Sequence, residues 1–304
     1  MNIRNVLVPV DFSRASQRAV DFAVVFATKL GAHLTLLHVT EDGSALQPSA
    51  DASLRLSEML PPTRTNDLDV HTLIRSGNVE DEICAAIHEE FVDIVVMGTH
   101  QHGLIRRLLT GSVAEDMLRK VPVPLLTLST EAHPRSLNRI LFAADPIDSH
   151  SEGFRFALDL ARALGSNLIV HHSIEPIPLS YGRSMPGIDD PTDRKHLLAH
   201  VHRKLSELEM EGARQQVVVV SEVTEGTASE KILAAAEETG CGLIILTIHD
   251  KGFLERTMLG STAEPIVRDA RLPVLSLPVK DAANRIEAKV NPQVSRILPT
   301  EAAE

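Results

Sequence analysis

The sequence predicts an α/β protein made of two tandem doubly wound domains, each a mostly parallel sheet of five strands with helices on both faces. Two observations carry this. Short apolar runs rich in β-branched residues alternate with stretches of helical period, the pattern of strand–helix–strand units with right-handed crossovers. The unit is also written twice. Residues 5–39, NVLVPVDFSRASQRAVDFAVVFATKLGAHLTLLHV, return at 139–173 as RILFAADPIDSHSEGFRFALDLARALGSNLIVHHS. The paired markers Asp11/Asp145 and Leu30/Leu164 share one shift (145 − 11 = 164 − 30 = 134). That period is far longer than a solenoid repeat, so whole domains are duplicated.

In the first copy, strands are expected at 3–10, 34–39, 70–74, 94–98 and 123–128, each short enough to be a buried parallel strand. Helical patterns fill 13–30, 50–60, 80–90 and 112–120. Ser13 stands where an N-cap belongs, ahead of Ala15, Ala19, Phe22, Ala23 and Phe26 at helical spacing, and Gly31 stops the helix after Leu30. The second copy repeats this with strands at 140–144, 168–172, 216–222, 242–247 and 274–279. Its crossover at 174–191 is rich in Pro and Gly and reads as irregular, ahead of a longer helix at 192–211. The domains are set at 1–130 and 138–280, joined by a polar linker containing Pro134. A charged tail follows at 281–304, with no pattern that calls for structure.

Composition narrows the function. A formal charge of −11 argues against a nucleic-acid partner held through phosphate contacts. No apolar run approaches the ~20 residues that span a bilayer, and the N-terminus enters a strand without a signal-peptide pattern. No membrane association and a cytoplasmic location are therefore expected. Cys84 and Cys241 fall in different repeats and suggest core residues rather than a disulfide framework. His196 and His200 have i, i+4 spacing but no intervening Glu, and His171 and His172 are adjacent; a solvated or partly buried imidazole is the ordinary reading of each.

Ligands of doubly wound sheets bind beyond the carboxyl ends of the strands, where strand order reverses. Three segments of the first domain meet there: Pro9-Val10-Asp11, Val39, and residues 98–112, GTHQHGLIRRLLTGS. Glycine lets backbone N–H groups approach a phosphate, and a helix N-terminus adds donors. Asp11 is placed to accept from a ribose hydroxyl or an amine, or to cap the first helix. Gly98 and Gly111 could equally just end a strand and begin a helix. The second domain has TIHDKGFLERTMLGS instead, with Thr247 for Gly98 and Asp250 for Gln101, Ser173 for Val39 and Ala143 for Pro9. Its carboxylate would repel a polyphosphate. Arg106 and Arg107 face no acid in the first segment.

These residues resemble the universal stress protein family in its tandem form, across residues 1–280. Nucleotide-binding members carry Gly, two residues, Gly, nine residues, then Gly-Ser or Gly-Thr. This chain has Gly98, Thr99-His100, Gln101, nine residues including Gly103, then Gly111-Ser112, so the spacing matches and Gln101 stands at the middle glycine. The resemblance implies a Rossmann-like fold akin to the adenine nucleotide alpha hydrolases. It maps adenine and ribose contacts onto Pro9, Val10, Asp11, Val39 and Met97, and phosphate contacts onto Gly98, Gly111, Ser112 and Val113, with His100, Gln101 and Gly103 of the same segment as further nucleotide-binding candidates. It further implies ATP, with or without magnesium, in the N-terminal domain only, and pairing of the two domains through their last strands. A homodimer and an unidentified regulatory protein are the further partners it leaves open. The expected function is an essentially non-catalytic, ATP-binding regulatory module of the stress response. A nucleotide-free scaffold and a slow ATP hydrolase are the alternatives; no P-loop and no carboxylate pair for magnesium support the latter.

Overall fold

The computed structural model describes residues 3–40, 50–60, 68–99, 113–132, 135–145, 152–175, 191–250 and 260–280. The first half runs β1 (Asn5–Pro9), α1 (Arg14–Leu30), β2 (His33–Thr40), α2 (Ala50–Glu58), β3 (Val70–Ser76), α3 (Val79–Glu89), β4 (Ile94–Thr99), α4 (Val113–Lys120) and β5 (Leu125–Ser129). The second runs β6 (Arg139–Ala143), α5 (Glu152–Leu164), β7 (Asn167–Ile174), α6 (Pro191–Arg214), β8 (Val219–Glu225), α7 (Ala228–Glu238), β9 (Leu243–Asp250), α8 (Ala263–Asp269) and β10 (Val274–Lys280). The expected elements are present, with ends moved by a few residues. β8, expected at 216–222, is displaced by three residues at both ends. Gln216 turns at φ 61° and the Val217 N–H returns to the Gly212 carbonyl at 2.9 Å, so these residues still close α6. The segment 98–112 lies outside the described residues from 100 onward, as do most of the irregular crossover, the tail and Pro134.

Local chemistry explains why the two copies fold alike. Ser13 caps α1 by accepting from the Ser16 N–H at 3.2 Å. Gly31 and Gly165 end the paired helices α1 and α5 at φ 63° and 67°, a conformation that would strain any residue with a Cβ. The N–H of the residue after each glycine bonds back to the Ala27 or Ala161 carbonyl.

The two five-stranded halves form one sheet of order β3-β2-β1-β4-β5-β10-β9-β6-β7-β8. Every neighbouring pair is parallel except β5 and β10, which run antiparallel with Leu126 opposite Leu275. The last strands thus pair, as expected from the resemblance. Leu126 and Leu275 are equivalent residues of the repeat, since their shift equals that of Gly98 and Thr247 (275 − 126 = 247 − 98 = 149). The halves are therefore related by a pseudo-two-fold axis through this contact. One core cluster lies across the seam on the α1, α2, α5, α6 face and includes Leu126, Leu128, Leu275 and Leu277. On the opposite face Ile248 and Val267 pack against the clusters of both halves. Thr127 Oγ1 and Ser129 Oγ donate across the seam to the Val274 and Ala270 carbonyls, each at 3.3 Å.

Helix and sheet approach so closely beside the seam that each half needs one glycine, and the two halves place it differently. A Cβ on Gly98 of β4 would lie 2.3 Å from the carbonyl of Ala15 on α1. In the second half that strand position is Thr247, and the room comes from the helix: a Cβ on Gly153 of α5 would lie 2.3 Å from Thr247 Cγ2. Gly153 is the counterpart of Ala19 (153 − 19 = 134). Overpacking of this kind costs about 1–3 kcal/mol. Gly153→Ala should therefore lower stability by that amount in urea unfolding. In a Thr247→Gly background, which copies the first half, the same change should cost little. Equal costs in both backgrounds would remove the reciprocal packing.

Candidate functional site

Strand order reverses at β1, which is flanked by β2 on one side and β4 on the other: Val6 stands level with both Leu34 and Ile94. At the carboxyl ends of these three strands the described candidate residues come together. Met97 belongs to the core cluster on the α3, α4 face, with Val39 and Val113 packed against it. Pro9 follows Leu7 of that cluster by two residues and so lies on the same side of the sheet. Val10 points the other way, into the α1, α2 core. Pro9, Val39, Met97 and Val113 thus line one side of the mouth, all apolar.

The polar candidates divide. Asp11 is exposed, and its Oδ1 accepts from the Ser13 N–H at 3.0 Å, tying the end of β1 to the start of α1. The bond forms a turn ahead of the helix, whose N-cap is Ser13. Gly98 is half-buried at the mouth, and its lack of a side chain is demanded by the backbone of α1. His100, Gln101, Gly103, Gly111 and Ser112 lie outside the described residues, as do Arg106 and Arg107. Among the described residues no group of three or more His, Cys, Asp or Glu side chains could hold a metal ion.

The corresponding mouth of the second half has different chemistry. Ala143, Ser173, Leu246 and Thr262 replace Pro9, Val39, Met97 and Val113. The Ser173 hydroxyl donates to the Gly226 carbonyl at 2.8 Å, and Glu175 accepts from the Ala228 N–H at 3.0 Å, capping α7. One residue pair deeper, His171 replaces Leu37. It is fully buried, with Nε2 3.1 Å from Thr224 Oγ1 and no partner for Nδ1. This corrects the expectation of a solvated or partly buried imidazole. The apolar run into which His171 is written, Leu168-Ile169-Val170, was the sequence signal for it. Burial, aided by the neighbouring His172, pushes the His171 pKa down to about 4.

Three residues that the sequence alone did not single out meet on the other face of the sheet, beside the α1, α2 core. Phe12, at φ 61°, sets its ring 4.4 Å from that of His38 and 3.9 Å beneath the Arg55 guanidinium of α2. His38 Nδ1 donates to the Val10 carbonyl at 2.8 Å. The available signal was a phenylalanine directly after a strand-end aspartate, in a chain with only 3% aromatic residues.

A family model described as "Universal stress protein family" matches residues 2–129 and 136–278. The chain belongs to the universal stress protein family. A universal stress protein of Synechocystis sp. is 32% identical over 125 residues, covering 41% of this chain and 42% of that protein. This chain thus spans less than half the length of that relative. A universal stress protein structure from Archaeoglobus fulgidus superposes with a TM-score of 0.66 at 20% identity, covering 92% of this chain and 98% of that one. A functionally unknown protein of Pseudomonas aeruginosa gives a TM-score of 0.66 at 19% identity, covering 94% and 96%. At these identities the two structures establish the tandem fold. No helix among the described residues is long and apolar enough to cross a membrane.

The buried imidazole gives the second half a distinct acid response. His171 has a folded pKa near 4 against an ordinary value of 6.5, so the fold favours the neutral ring. Above pH 6.5 the difference has no effect. As pH falls from 6.5 towards 4 the unfolded chain takes up the proton first and stability is lost, by on the order of 2–3 kcal/mol in all. His171→Leu, which copies position 37, should flatten this part of the stability–pH curve in denaturant titrations. The same slope in both proteins would show that His171 does not carry it.

Proposed function

We propose that the chain is a cytoplasmic stress-response module that binds ATP, alone or with magnesium, at the mouth of β1, β2 and β4, and that occupancy rather than turnover is its signal. The observation that carries this reading is the convergence of Pro9, Val39, Met97 and Val113 on one side of the strand-order reversal. Four apolar side chains at a switch point suit a purine base, with Asp11 beside them for a ribose hydroxyl. Residues 98–112, with Arg106, Arg107 and no acid, would carry the polyphosphate towards the start of α4. The second half offers Ser173 and Asp250 at equivalent positions and is read as architectural. On this reading a protein partner recognises the ATP-ordered segment 98–111.

A second reading, a nucleotide-free scaffold, is favoured by one observation: the packing of α1 against β4 already accounts for Gly98. The two readings separate by titration. Calorimetry of the whole chain with ATP and magnesium should give one equivalent per chain. Replacing Val39→Ser and Gln101→Asp, the residues of the second half, should weaken binding about tenfold or more, roughly 1.4 kcal/mol. No heat would favour the scaffold. Two equivalents, or unchanged affinity in the exchanged variant, would place the nucleotide elsewhere.

A further inference from the structure

Phe91 follows helix α3 in the left-handed region, at φ 50°. The turn it makes is a helix stop that both halves share. The Val92 N–H bonds back to the Ile87 carbonyl at 3.0 Å, and after α7 the Cys241 N–H bonds back to the Ala236 carbonyl at 3.0 Å. In the second half the position of Phe91 is filled by Gly240, at φ 65° (240 − 91 = 241 − 92 = 149). Glycine is the residue this conformation favours, and a side chain with a Cβ is strained in it. Burial does not offset the strain, because Phe91 is 79% exposed. The Asn5 amide donates to the Phe91 carbonyl at 3.0 Å, a bond that any residue at 91 would keep. An exposed apolar side chain is ordinary by itself. One kept exposed in a backbone conformation that penalises it, where the twin has glycine, calls for a partner.

The register across the seam shows what lies within reach. Ser276 of β10, Leu125 of β5 and Val95 of β4 stand in one row. Lys280 is four residues past that row and Phe91 four residues before it (280 − 276 = 95 − 91 = 4), on chains that run in opposite directions. Both therefore reach the same edge of the sheet, two strand spacings apart, roughly 10 Å. Residues 281–304 continue from Lys280, and their first large apolar side chains are Ile286 and Val290. Six residues of chain span up to roughly 20 Å, so Ile286 reaches the ring with slack. Arg285 and Lys289 directly precede these two residues, and Glu90, exposed, directly precedes Phe91. The charges next to the apolar groups are thus complementary.

We propose that Phe91 is the anchor on which the segment after β10 docks, with Ile286 and Val290 packed against its ring and Arg285 or Lys289 beside Glu90. The docked segment crosses the amino ends of β4 and β5, on the edge of the sheet opposite the first mouth. This contact does not depend on a nucleotide.

Limited tryptic digestion of the whole chain tests it, since cleavage after Arg285 and Lys289 follows the undocked fraction of the segment. Each rate is scaled to that of a free peptide of the same sequence. Phe91→Gly, which copies Gly240 and relieves the turn, should raise cleavage at both sites about tenfold. The paired change Ile286→Ser and Val290→Ser should do the same without touching the folded halves. Phe91→Gly should also raise the melting temperature more in that serine background than in the parent, where it removes a contact as well as a strain. Cleavage in the parent as fast as in the free peptide, or unchanged by Phe91→Gly, overturns the docking, as do equal temperature shifts in the two backgrounds. Protection that is lost on dilution of a dimeric parent would give the ring to a second copy of the chain and overturn it too.

Discussion

An antiparallel ladder of three residue pairs, centred on Leu126 and Leu275, makes one molecule of two similar halves. Without it each half would present a terminal strand with unpaired N–H and C=O groups and apolar flanks, the arrangement that invites unwanted pairing. The pairing unites the cores as well as the backbone. Leu126 and Leu128 meet Leu275 and Leu277 on one face, while Ile248 and Val267 touch both halves on the other. Burial across the seam on both faces makes the halves parts of one sheet rather than beads on a linker.

The same ladder dictates where the two mouths lie. All strands of a half are parallel, and the halves meet antiparallel, so their carboxyl ends point to opposite edges of the sheet. A ligand beyond β1 and β4 therefore shares no wall with the mouth of β6 and β9. This separation let the copies diverge in chemistry while keeping one architecture. Glycine moved from strand to helix between Gly98 and Gly153, preserving the close approach. A leucine at 37 became a buried histidine at 171, which keeps the volume but adds an orphaned ring nitrogen. The first change leaves the packing intact; the second puts a titratable ring where the first half has an apolar side chain.

The alternation of strands and helices, the caps at Ser13 and Gly31 and the duplication were legible because they depend on residues near one another in sequence. Pairing of β5 with β10 was not legible from spacing; it came with the family resemblance. Three features were hidden, each for a physical reason. The need for glycine at 98 comes from the backbone of Ala15, more than eighty positions away in sequence (98 − 15 = 83). Phe12 takes a positive φ in a sequence, Val-Asp-Phe-Ser, that carries no Gly or Asn to announce it. His171 stands where the apolar run Leu168-Ile169-Val170 meets the polar end His-His-Ser, so the sequence points both ways, and the packing of α7 on β7 decides for burial. Each arises from a neighbouring element that the local sequence does not name.

The geometry also limits how occupancy of the first mouth could be sensed. Met97 stands level with Thr127 of β5, and Thr127 with Val274 of β10, so adjacent strands join the mouth to the second half. Adjacency is not coupling: transmission needs an element with two arrangements of similar energy. These strands are buried, hydrogen-bonded on both sides and packed on both faces, so moving them would break contacts on every side. On energetic grounds a signal is therefore best carried close to the ligand. On the proposed reading that place is the carboxyl ends of β1, β2 and β4, where the strand order reverses. The second half holds β5 in place and covers its edge, a role that rests on the seam.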